Sequence, residues 1–305
     1  MGSVWTVTSD EQGLRLDQFL VRRISGMGRR GTRRSWEHVL VLVDGRRQRP
    51  GYRVQPGQRV TWEPRENRTQ EPVVKTPEPT DVTVAAQNDD FAALVKPAGV
   101  HSEAIADRGG TSIEAVLPDL FPGKQVVLLN RLDRPVSGLV LAALNQDAAD
   151  SYAAWQDQGI VRKHYLAVVS GQVAETMEIR LALDTARRRK VRVMTQEEPD
   201  AVRWTRVFPA SYRKASDETL VRVEIHKGRR HQIRAHLAAA GHPVKSDPQY
   251  GTGPDQGWIY LHHCSVILPG FAVWNFPNWA DWESELADAL ACFINLPAPW
   301  QNLPR

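Results

Sequence analysis

Residues 128–144 read LLNRLDRPVSGLVLAAL, and this stretch decides the prediction of the fold. Two apolar runs, Val126 to Leu129 and Leu139 to Leu144, have the length and composition of buried strands. A polar loop from Arg131 to Pro135 separates them, and its proline excludes a continuing helix or a central strand at that point. The stretch therefore predicts two core strands joined by a charged loop.

The charged loop carries a carboxylate between two cations. Asp133 lies between Arg131 and Arg134, and neighbouring positive charges favour its ionised form. An ionised group at the end of a core strand has two usual interpretations. One is an aspartate in a turn that forms a structural salt bridge, and the other is a functional site. These residues taken alone support the two interpretations equally.

The order of the residues around Asp133 favours the functional interpretation. Arg131-Leu132-Asp133 followed by Ser137-Gly138-Leu139 and an apolar run resembles the catalytic motif of the RluA-type pseudouridine synthases, usually H-R-L-D-x-x-T-S-G-L. Two later stretches resemble further motifs of that family: KHYLAVVSG (163–171) its K-x-Y-x-A-x-V-x-G segment, and GRRHQIRAHL (228–237) its G-R-x-H-Q-I/L-R-x-H segment. Three motifs in the family's order are far more specific than any one of them.

The chain departs from the usual first motif at two positions. Asn130 stands where histidine is usual, and Val136 stands where threonine is usual. Neither position carries the chemistry, but we expect Asn130 to alter how the loop is held. Lys96-Pro97-Ala98-Gly99 also resembles a segment of the same family, although this short match would be weak alone.

Composition is that of a globular protein, with an uneven distribution of charge. The chain has 305 residues, a formal net charge of +4 and two cysteines, which supply neither a disulfide framework nor a paired zinc motif. The cysteine usage favours a cytoplasmic protein, and no apolar run has the length of a membrane span. Residues 13–63 hold twelve arginines and four acidic residues, so this segment carries +8 and the remainder −4. A basic module of this kind predicts a polyanionic partner.

The basic segment resembles an S-four-type RNA-binding domain, named after a ribosomal protein. Its pattern is a helix over residues 14–20, a basic loop, a second short helix capped by Ser35 and containing Trp36, Val39 and Leu40, and then a turn at residues 42–46. The resemblance implies a nucleic-acid face formed by Arg29, Arg30, Arg33 and Arg34. The alternative is a solvated basic surface on a small packing domain.

These patterns predict three parts of the chain. Residues 1–63 form the S-four-type domain, and residues 64–81, with four prolines, form an extended linker. Residues 82–305 form the catalytic domain. The resemblance implies an α+β fold, with a mixed, largely antiparallel sheet in the catalytic domain and a small N-terminal α/β domain.

The resemblance also implies the roles of three residues. Making pseudouridine requires cleavage of the bond between base and sugar, rotation of the base and its reattachment through carbon 5. Asp133 would be the carboxylate that attacks the sugar or the base or assists a glycal-like intermediate, and the sequence leaves these routes open. Arg234, on a predicted helix over residues 231–240, would pair with Asp133, and Tyr165, on a predicted strand, would stack on the uracil and assist removal of the proton from carbon 5.

RNA contacts are predicted outside these three residues. Arg131 is expected to occupy the space that the flipped uridine leaves in the RNA. Arg188, Arg189 and Lys190 belong to a second basic cluster, and neutralisation of phosphates is the main use of such clusters. No metal site is predicted, because His231 and His236 miss the spacing of a zinc-binding helix. The implied reaction also requires no cofactor.

Two other classes of function fit the sequence less well. A non-catalytic RNA-binding protein would require Asp133, Tyr165 and Arg234 to occur together by accident. A carboxylate-based glycosidase would require a second acid near Asp133, and the three motifs contain none. The domain combination resembles synthases that act on large-subunit ribosomal RNA, with transfer RNA as the alternative substrate, and the protein is expected to be a monomer without membrane contact.

Overall fold

The computed structural model describes residues 3–23, 39–48, 51–64, 81–104, 112–186, 190–252 and 256–287. The chain divides into two compact units, residues 1–75 and 76–305. Among the described residues, every helix falls short of the length and apolar character needed to cross a membrane.

The first unit is a small sheet with one described helix. Its elements are β1 (Ser3–Thr6), α1 (Leu16–Arg23), β2 (Val39–Val43), β3 (Arg46–Arg47) and β4 (Arg59–Pro64). The strand order is β1-β4-β2-β3, and all neighbours are antiparallel. The helix packs Leu16, Phe19 and Leu20 against buried valines of the sheet because these side chains recur at helical spacing.

Part of the predicted second helix of this unit is wrong. Val39 and Leu40 begin β2, since the run VLVLV favours a strand and pairs with β4 along its whole length. The predicted turn is confirmed, with Asp44 and Gly45 both at positive φ between β2 and β3. Arg29, Arg30, Arg33 and Arg34, and nearly all of the predicted linker, lie outside the described residues.

The second unit is organised on a ten-stranded sheet. Its strands are β5 (Thr83–Gln87), β6 (Phe91–Lys96), β7 (Val127–Leu128), β8 (Ser137–Ala143), β9 (Arg162–Ser170), β10 (Met177–Ile179), β13 (Thr205–Arg213), β14 (Glu218–Ile225), β15 (Leu261–Leu268) and β16 (Phe271–Trp274). The order is β10-β13-β14-β9-β15-β8-β6-β5, with β16 on β15 and β7 on β8. A separate ribbon contains β11 (Leu181–Asp184) and β12 (Arg192–Glu197).

The predicted α+β class is confirmed. In the large sheet β8 and β15 pair in parallel, and its other pairs are antiparallel. Helices α2 (Ile113–Leu120), α3 (Gln146–Asp157) and α4 (Gln232–Ala239) accompany it. All eight residues of β15 are buried, including the polar residues His262, His263 and Ser265.

Three predicted elements around the cavity residues have different bounds in the structure. The first predicted core strand is reduced to Val127–Leu128, and Val127 is 41% exposed because β7 pairs with one end of β8 only. β8 begins at Ser137, two residues before the predicted start. Helix α4 begins after His231, which is its N-cap and has left-handed backbone geometry.

Gly138 allows β8 to approach β15. Its φ is +111°, and a Cβ placed there would lie 2.3 Å from the carbonyl oxygen and 2.6 Å from the nitrogen of His263. Both are backbone atoms of the central strand, so neither can move without disturbing the sheet. The glycine of the S-G-L motif is therefore required by close packing of two backbones.

We expect Gly138→Ala to destabilise the protein by roughly 3 kcal/mol, because backbone strain and a steric clash add at one position. Urea unfolding of the full chain measures this cost. Gly123→Ala is the matched control, since Gly123 also has positive φ but has open space where a Cβ would be. The control should cost about 1 kcal/mol. Equal costs for the two variants would contradict the packing explanation.

Candidate active site

The three sequence motifs meet at one cavity in the second unit. The cavity has a volume of about 1200 Å³ and is lined by the loop before β8, by β9, and by the segment that leads into α4. Asp133, Tyr165 and Arg234 all line it. This volume exceeds that of a single nucleotide pocket and leaves room for the neighbours of a bound nucleotide.

Asp133 and Arg234 are in direct contact. Arg234 Nη1 donates a hydrogen bond of 2.8 Å to Asp133 Oδ2. The arginine side chain is 4% exposed and the aspartate side chain 19% exposed, so the carboxylate is the member of the pair that faces the cavity. A guanidinium at this distance stabilises the anion and fixes its orientation.

A second carboxylate holds the other side of Arg234. Arg234 Nε and Nη2 donate to Asp247 at 2.7 and 2.8 Å, and Nη2 also donates to Gln249 Oε1 at 3.3 Å. Burial alone would lower the pKa of Arg234, but the hydrogen bonds with Asp247 and the charge of Asp133 outweigh it and raise that pKa. The guanidinium is consequently a permanent cation held at several points.

Asp247 itself cannot serve as a second reacting acid. Its residue is fully buried, and its oxygens accept hydrogen bonds from Arg234 and from the backbone N–H groups of Gln249 and Tyr250. Burial raises the pKa of this carboxyl, and these hydrogen bonds more than reverse the effect, so the pKa lies below its ordinary value. Sequence reasoning missed Asp247, because Asp-Pro in SDPQY is typical of an ordinary turn.

His231 is a further neighbour of the carboxylate that sequence reasoning did not place. Its φ is +55°, which is uncommon for a residue other than glycine and often marks a functional site. Its Nε2 lies 3.7 Å from Asp133 Oδ1, and its Nδ1 lies 2.9 Å from the hydroxyl of Tyr250. Burial lowers the pKa of His231, against the opposing charge of Asp133, so the ring is largely neutral at pH 7.

The loop that carries Asp133 is held by two buried side chains. Lys96 is fully buried, and its Nζ donates to the carbonyls of Pro97, Val100 and Arg134 at 3.0, 2.8 and 3.3 Å. Ser102 Oγ donates to the carbonyl of Leu132 and accepts from the N–H of the same residue. The backbone groups of Leu132 and Arg134, on either side of Asp133, are therefore held by hydrogen bonds to buried side chains.

Asn130 contributes to the same support. Its Oδ1 accepts a 2.6 Å hydrogen bond from the N–H of Leu141, and its Nδ2 lies 3.4 Å from the carbonyl of Leu139. The amide thus ties the loop to β8 with one acceptor and one donor. This is how the loop is held at the position where the chain departs from the usual motif.

Tyr165 forms part of the apolar floor of the cavity. The residue is 6% exposed, and its ring stacks on the imidazole of His263 with centroids 4.4 Å apart and planes 15° apart. Burial raises the pKa of its phenol, and the charges of Tyr152 and Asp133 raise it further. Tyr165 is therefore a neutral phenol at pH 7, well suited to aromatic stacking.

Lys163 lies two residues before Tyr165 on β9 and lines the same cavity. It is 3% exposed, and among the described residues its Nζ has no hydrogen-bond or ion-pair partner. Burial, and secondarily the charge of Lys227, lowers its pKa to about 7. The sequence motif contains this lysine, but the residue pattern alone assigned it no role.

We expect Lys163→Met to raise the free energy of unfolding, most strongly at and below pH 7. Between the folded pKa of about 7 and the ordinary value of 10.5 the unfolded chain binds a proton that the folded chain does not. Wild-type stability therefore rises with pH in this window, and the advantage of the variant shrinks by up to about 1.4 kcal/mol per pH unit. Urea unfolding at pH 7, 8.5 and 10 measures this trend. A difference independent of pH would contradict it.

The predicted RNA contacts lie at the rim where the structure describes them. Arg131 lines the cavity, and its exposed guanidinium pairs with Glu103. Lys190 also lines it, with Nζ 4.9 Å from the centre of the Tyr250 ring. Arg188 and Arg189 lie outside the described residues. Two arginines that line the cavity were not predicted as RNA contacts, Arg229 and Arg230, and they also line a second pocket together with Arg131 and Arg203.

The donor set of the cavity does not resemble a metal centre. Within the part of the chain that the structure describes, no three histidine, cysteine, aspartate or glutamate side chains form a group suited to a metal ion. Asp133 and Asp247 both face Arg234, whose positive charge occupies the place where a cation would bind.

Comparison with known proteins agrees with this arrangement. The family model described as RNA pseudouridylate synthase matches residues 90–239. Ribosomal large subunit pseudouridine synthase C of Escherichia coli is 31% identical, over 80% of this chain and 78% of its own length. An uncharacterized RNA pseudouridine synthase of Chloroflexus aurantiacus is 33% identical, over 81% and 78%.

A solved structure shares the fold. Human RNA Pseudouridylate Synthase Domain Containing 1 superimposes with a TM-score of 0.56 at 22% identity, covering 73% of this chain and 98% of its own. Asp133, Tyr165 and Arg234 all lie within the segment that the family model matches, residues 90–239. From its sequence relatives and its sheet, this chain belongs to the RNA pseudouridine synthase family and is an isomerase that acts on RNA.

Proposed function

We propose that this enzyme converts specific uridines of ribosomal RNA to pseudouridine, with Asp133 as the reacting carboxylate. The observation that carries the proposal is the 2.8 Å contact between Asp133 and the buried Arg234 at the surface of a large cavity. A positioned anion, an apolar floor for an unstacked base and a basic rim are the features that the reaction requires.

In the proposed mechanism Asp133 reacts and Arg234 positions it. Asp133 attacks the sugar or the base, or assists in forming a glycal-like intermediate, and each route needs an anionic carboxylate at the bond between base and sugar. Arg234 donates a hydrogen bond that orients the carboxylate. Asp247 fixes the side chain of Arg234, which lies on α4. Arg234 in turn holds the reacting carboxylate of Asp133.

Tyr165 and Arg131 stabilise the RNA in the conformation with the target nucleotide flipped out. The ring of Tyr165, backed by His263, offers a flat apolar surface on which a uracil stacks, a contact worth about 1–3 kcal/mol per base. Its raised pKa makes stacking the principal role, with assistance in proton removal from carbon 5 as a second. Arg131 at the rim fills the space vacated in the RNA, which offsets part of the few kcal/mol that flipping costs.

Ribosomal RNA is the proposed substrate for two reasons. Relatives matched over most of this chain are named ribosomal large subunit pseudouridine synthases C and D, from Escherichia coli and Nitrosomonas europaea. The strongly basic first unit also resembles an S-four-type RNA-binding domain of the kind found with such synthases. The proposal implies a cytoplasmic, monomeric enzyme.

Pseudouridine maps test the choice of substrate. Cellular RNA from cells with and without this protein is labelled with a pseudouridine-specific reagent and sequenced. We expect label to disappear from one or a few positions of large-subunit ribosomal RNA. Loss of label from transfer RNA alone would overturn the ribosomal assignment but not the enzymatic one.

Deletion of residues 1–75 tests the proposed division of labour. We expect weaker RNA binding and a shallower salt dependence, because each lost phosphate contact removes about 0.9 from the logarithmic salt slope. Turnover at saturating RNA should fall much less, since Asp133, Tyr165 and Arg234 remain. Single-turnover kinetics across a salt series measure both quantities. An unchanged slope would show that the first unit does not contact the RNA.

A further inference from the structure

Lys163 is a buried donor that the proposed mechanism does not use. Its side chain lines the cavity, yet among the described residues its Nζ has no partner. A buried amine without an acceptor carries a desolvation cost that a hydrogen bond would relieve. The structure therefore places an amine without a described protein partner at the surface of the cavity, where a base is expected to bind.

The register of the sheet orders three residues along the cavity. β15 pairs Tyr165 with His263 and Lys163 with Val266, while its parallel neighbour β8 pairs Ser137 with His262. The carbonyl of Asp133 accepts a 3.0 Å hydrogen bond from the N–H of Val136, which places Asp133 at the starting end of β8. Along the strand direction the order is therefore Asp133, Tyr165, Lys163.

The electrostatics agree with this order. The charge of Asp133 contributes to the raised pKa of Tyr165, whereas the charge that acts on Lys163 is that of Lys227. Two residues of a strand span about 6.6 Å. Lys163 is therefore displaced from Tyr165, away from Asp133, by a distance comparable to the length of a uracil ring with its carbonyl.

A uracil stacked on Tyr165 with its glycosidic bond at Asp133 thus directs its far edge toward Lys163. In uridine the ring atom opposite N1 is C4, so the group at this edge is the O4 carbonyl. We propose that Lys163 Nζ donates a hydrogen bond to O4 of the target uracil and selects uracil over cytosine. Cytosine has an amino group there, which offers another donor in place of an acceptor.

Lys163 Nζ can donate the same kind of hydrogen bond to the pseudouridine product. Rotation of the base about its C6–N3 axis exchanges N1 with C5 and C4 with C2. Once C5 is joined to the sugar, the carbonyl opposite the new bond is O2, which lies where O4 was. Lys163 therefore holds a carbonyl before and after rotation, and with its pKa near 7 it keeps N–H donors in either protonation state.

The test uses full-length enzyme and short RNAs that contain uridine, 4-thiouridine or 2-thiouridine at the target position, since sulfur is a weak hydrogen-bond acceptor. The RNA is the shortest transcript around a uridine that the wild-type enzyme modifies, whichever class of RNA contains it. Wild type, Lys163→Met and Lys214→Met are compared. Lys214 is the control, because it is an exposed lysine that does not line the cavity.

With uridine we expect Lys163→Met to lower kcat/KM by about tenfold to a hundredfold, and Lys214→Met by less than about threefold. Replacing O4 by sulfur should weaken binding to wild type about tenfold, and replacing O2 should slow single turnover without weakening binding. In Lys163→Met the three RNAs should behave alike within about twofold. In Lys163→Met, the ratio of the affinities for RNA with uridine and RNA with cytidine at the target position should also become smaller.

Equal sensitivity of wild type and Lys163→Met to 4-thiouridine would overturn the proposal, as would a Lys163→Met variant no slower than the control. Thermal unfolding confirms that the variant is folded. The inference rests on Asp133 marking the glycosidic end of the site. Activity of Asp133→Asn would refute that assumption, while the thiouridine ratios report on Lys163 alone, so the two failures are distinguishable.

Discussion

Asp133→Asn is expected to lower isomerisation at least about a thousandfold, equivalent to about 4 kcal/mol of lost transition-state stabilisation. The amide keeps the shape of the side chain but removes the negative charge that the proposed reaction requires. Arg234 stays bound to Asp247, so the fold should survive. RNA affinity should change little, because phosphate contacts by arginines and lysines supply most of it.

Single-turnover assays at saturating RNA measure the loss, and a filter-binding titration measures the affinity. Asp119→Asn is the matched control, since Asp119 is an exposed aspartate of α2 that does not line the cavity. It should leave both quantities unchanged. Substantial turnover by Asp133→Asn would refute the assignment of Asp133 as the reacting carboxylate.

Arg234→Ala is expected to remove activity and to lower the free energy of unfolding by roughly 3–5 kcal/mol, because breaking a buried pair leaves an uncompensated buried charge. The stranded charge is that of Asp247, which is fully buried. Arg234→Lys should recover part of the stability and little of the activity, since an ammonium cannot bind two carboxylates in the fork geometry of a guanidinium.

Urea unfolding and single-turnover kinetics on the two variants separate these effects. Arg180→Ala is the matched control, since Arg180 is a half-exposed arginine that pairs with Glu178 and lies outside the cavity lining. It should cost less than about 1 kcal/mol. If folded Arg234→Lys turns over at the wild-type rate, the positioning role fails.

The residues that the motifs name are brought together by the structure, and the reason is local. Asp133, Tyr165 and Arg234 each lie in a short segment whose neighbours have a recognisable order, and each such segment forms one loop, strand or helix around the cavity. The α+β class followed from the same resemblance, together with the alternating strand of residues 220–225.

The remaining features depend on contacts between distant parts of the chain. Asp247 lies in a turn pattern, and its importance comes from its burial against Arg234. Val39 and Leu40 fit a helical spacing, but pairing with β4 decides their structure. The role that we propose for Lys163 depends on its missing partner, which is a property of the folded state and has no local signal.

The position of β15 constrains how the protein is made. This strand comes late in the chain, at Leu261–Leu268, yet it lies between β9 and β8 in the middle of the sheet. A nascent chain emerging from the ribosome can form the hairpins on either side, but the two halves of the sheet cannot join until β15 has been synthesised and inserted. The matched family segment, residues 90–239, ends before this strand and therefore lacks the centre of the sheet. We therefore expect catalytic competence only after Leu268 has been synthesised.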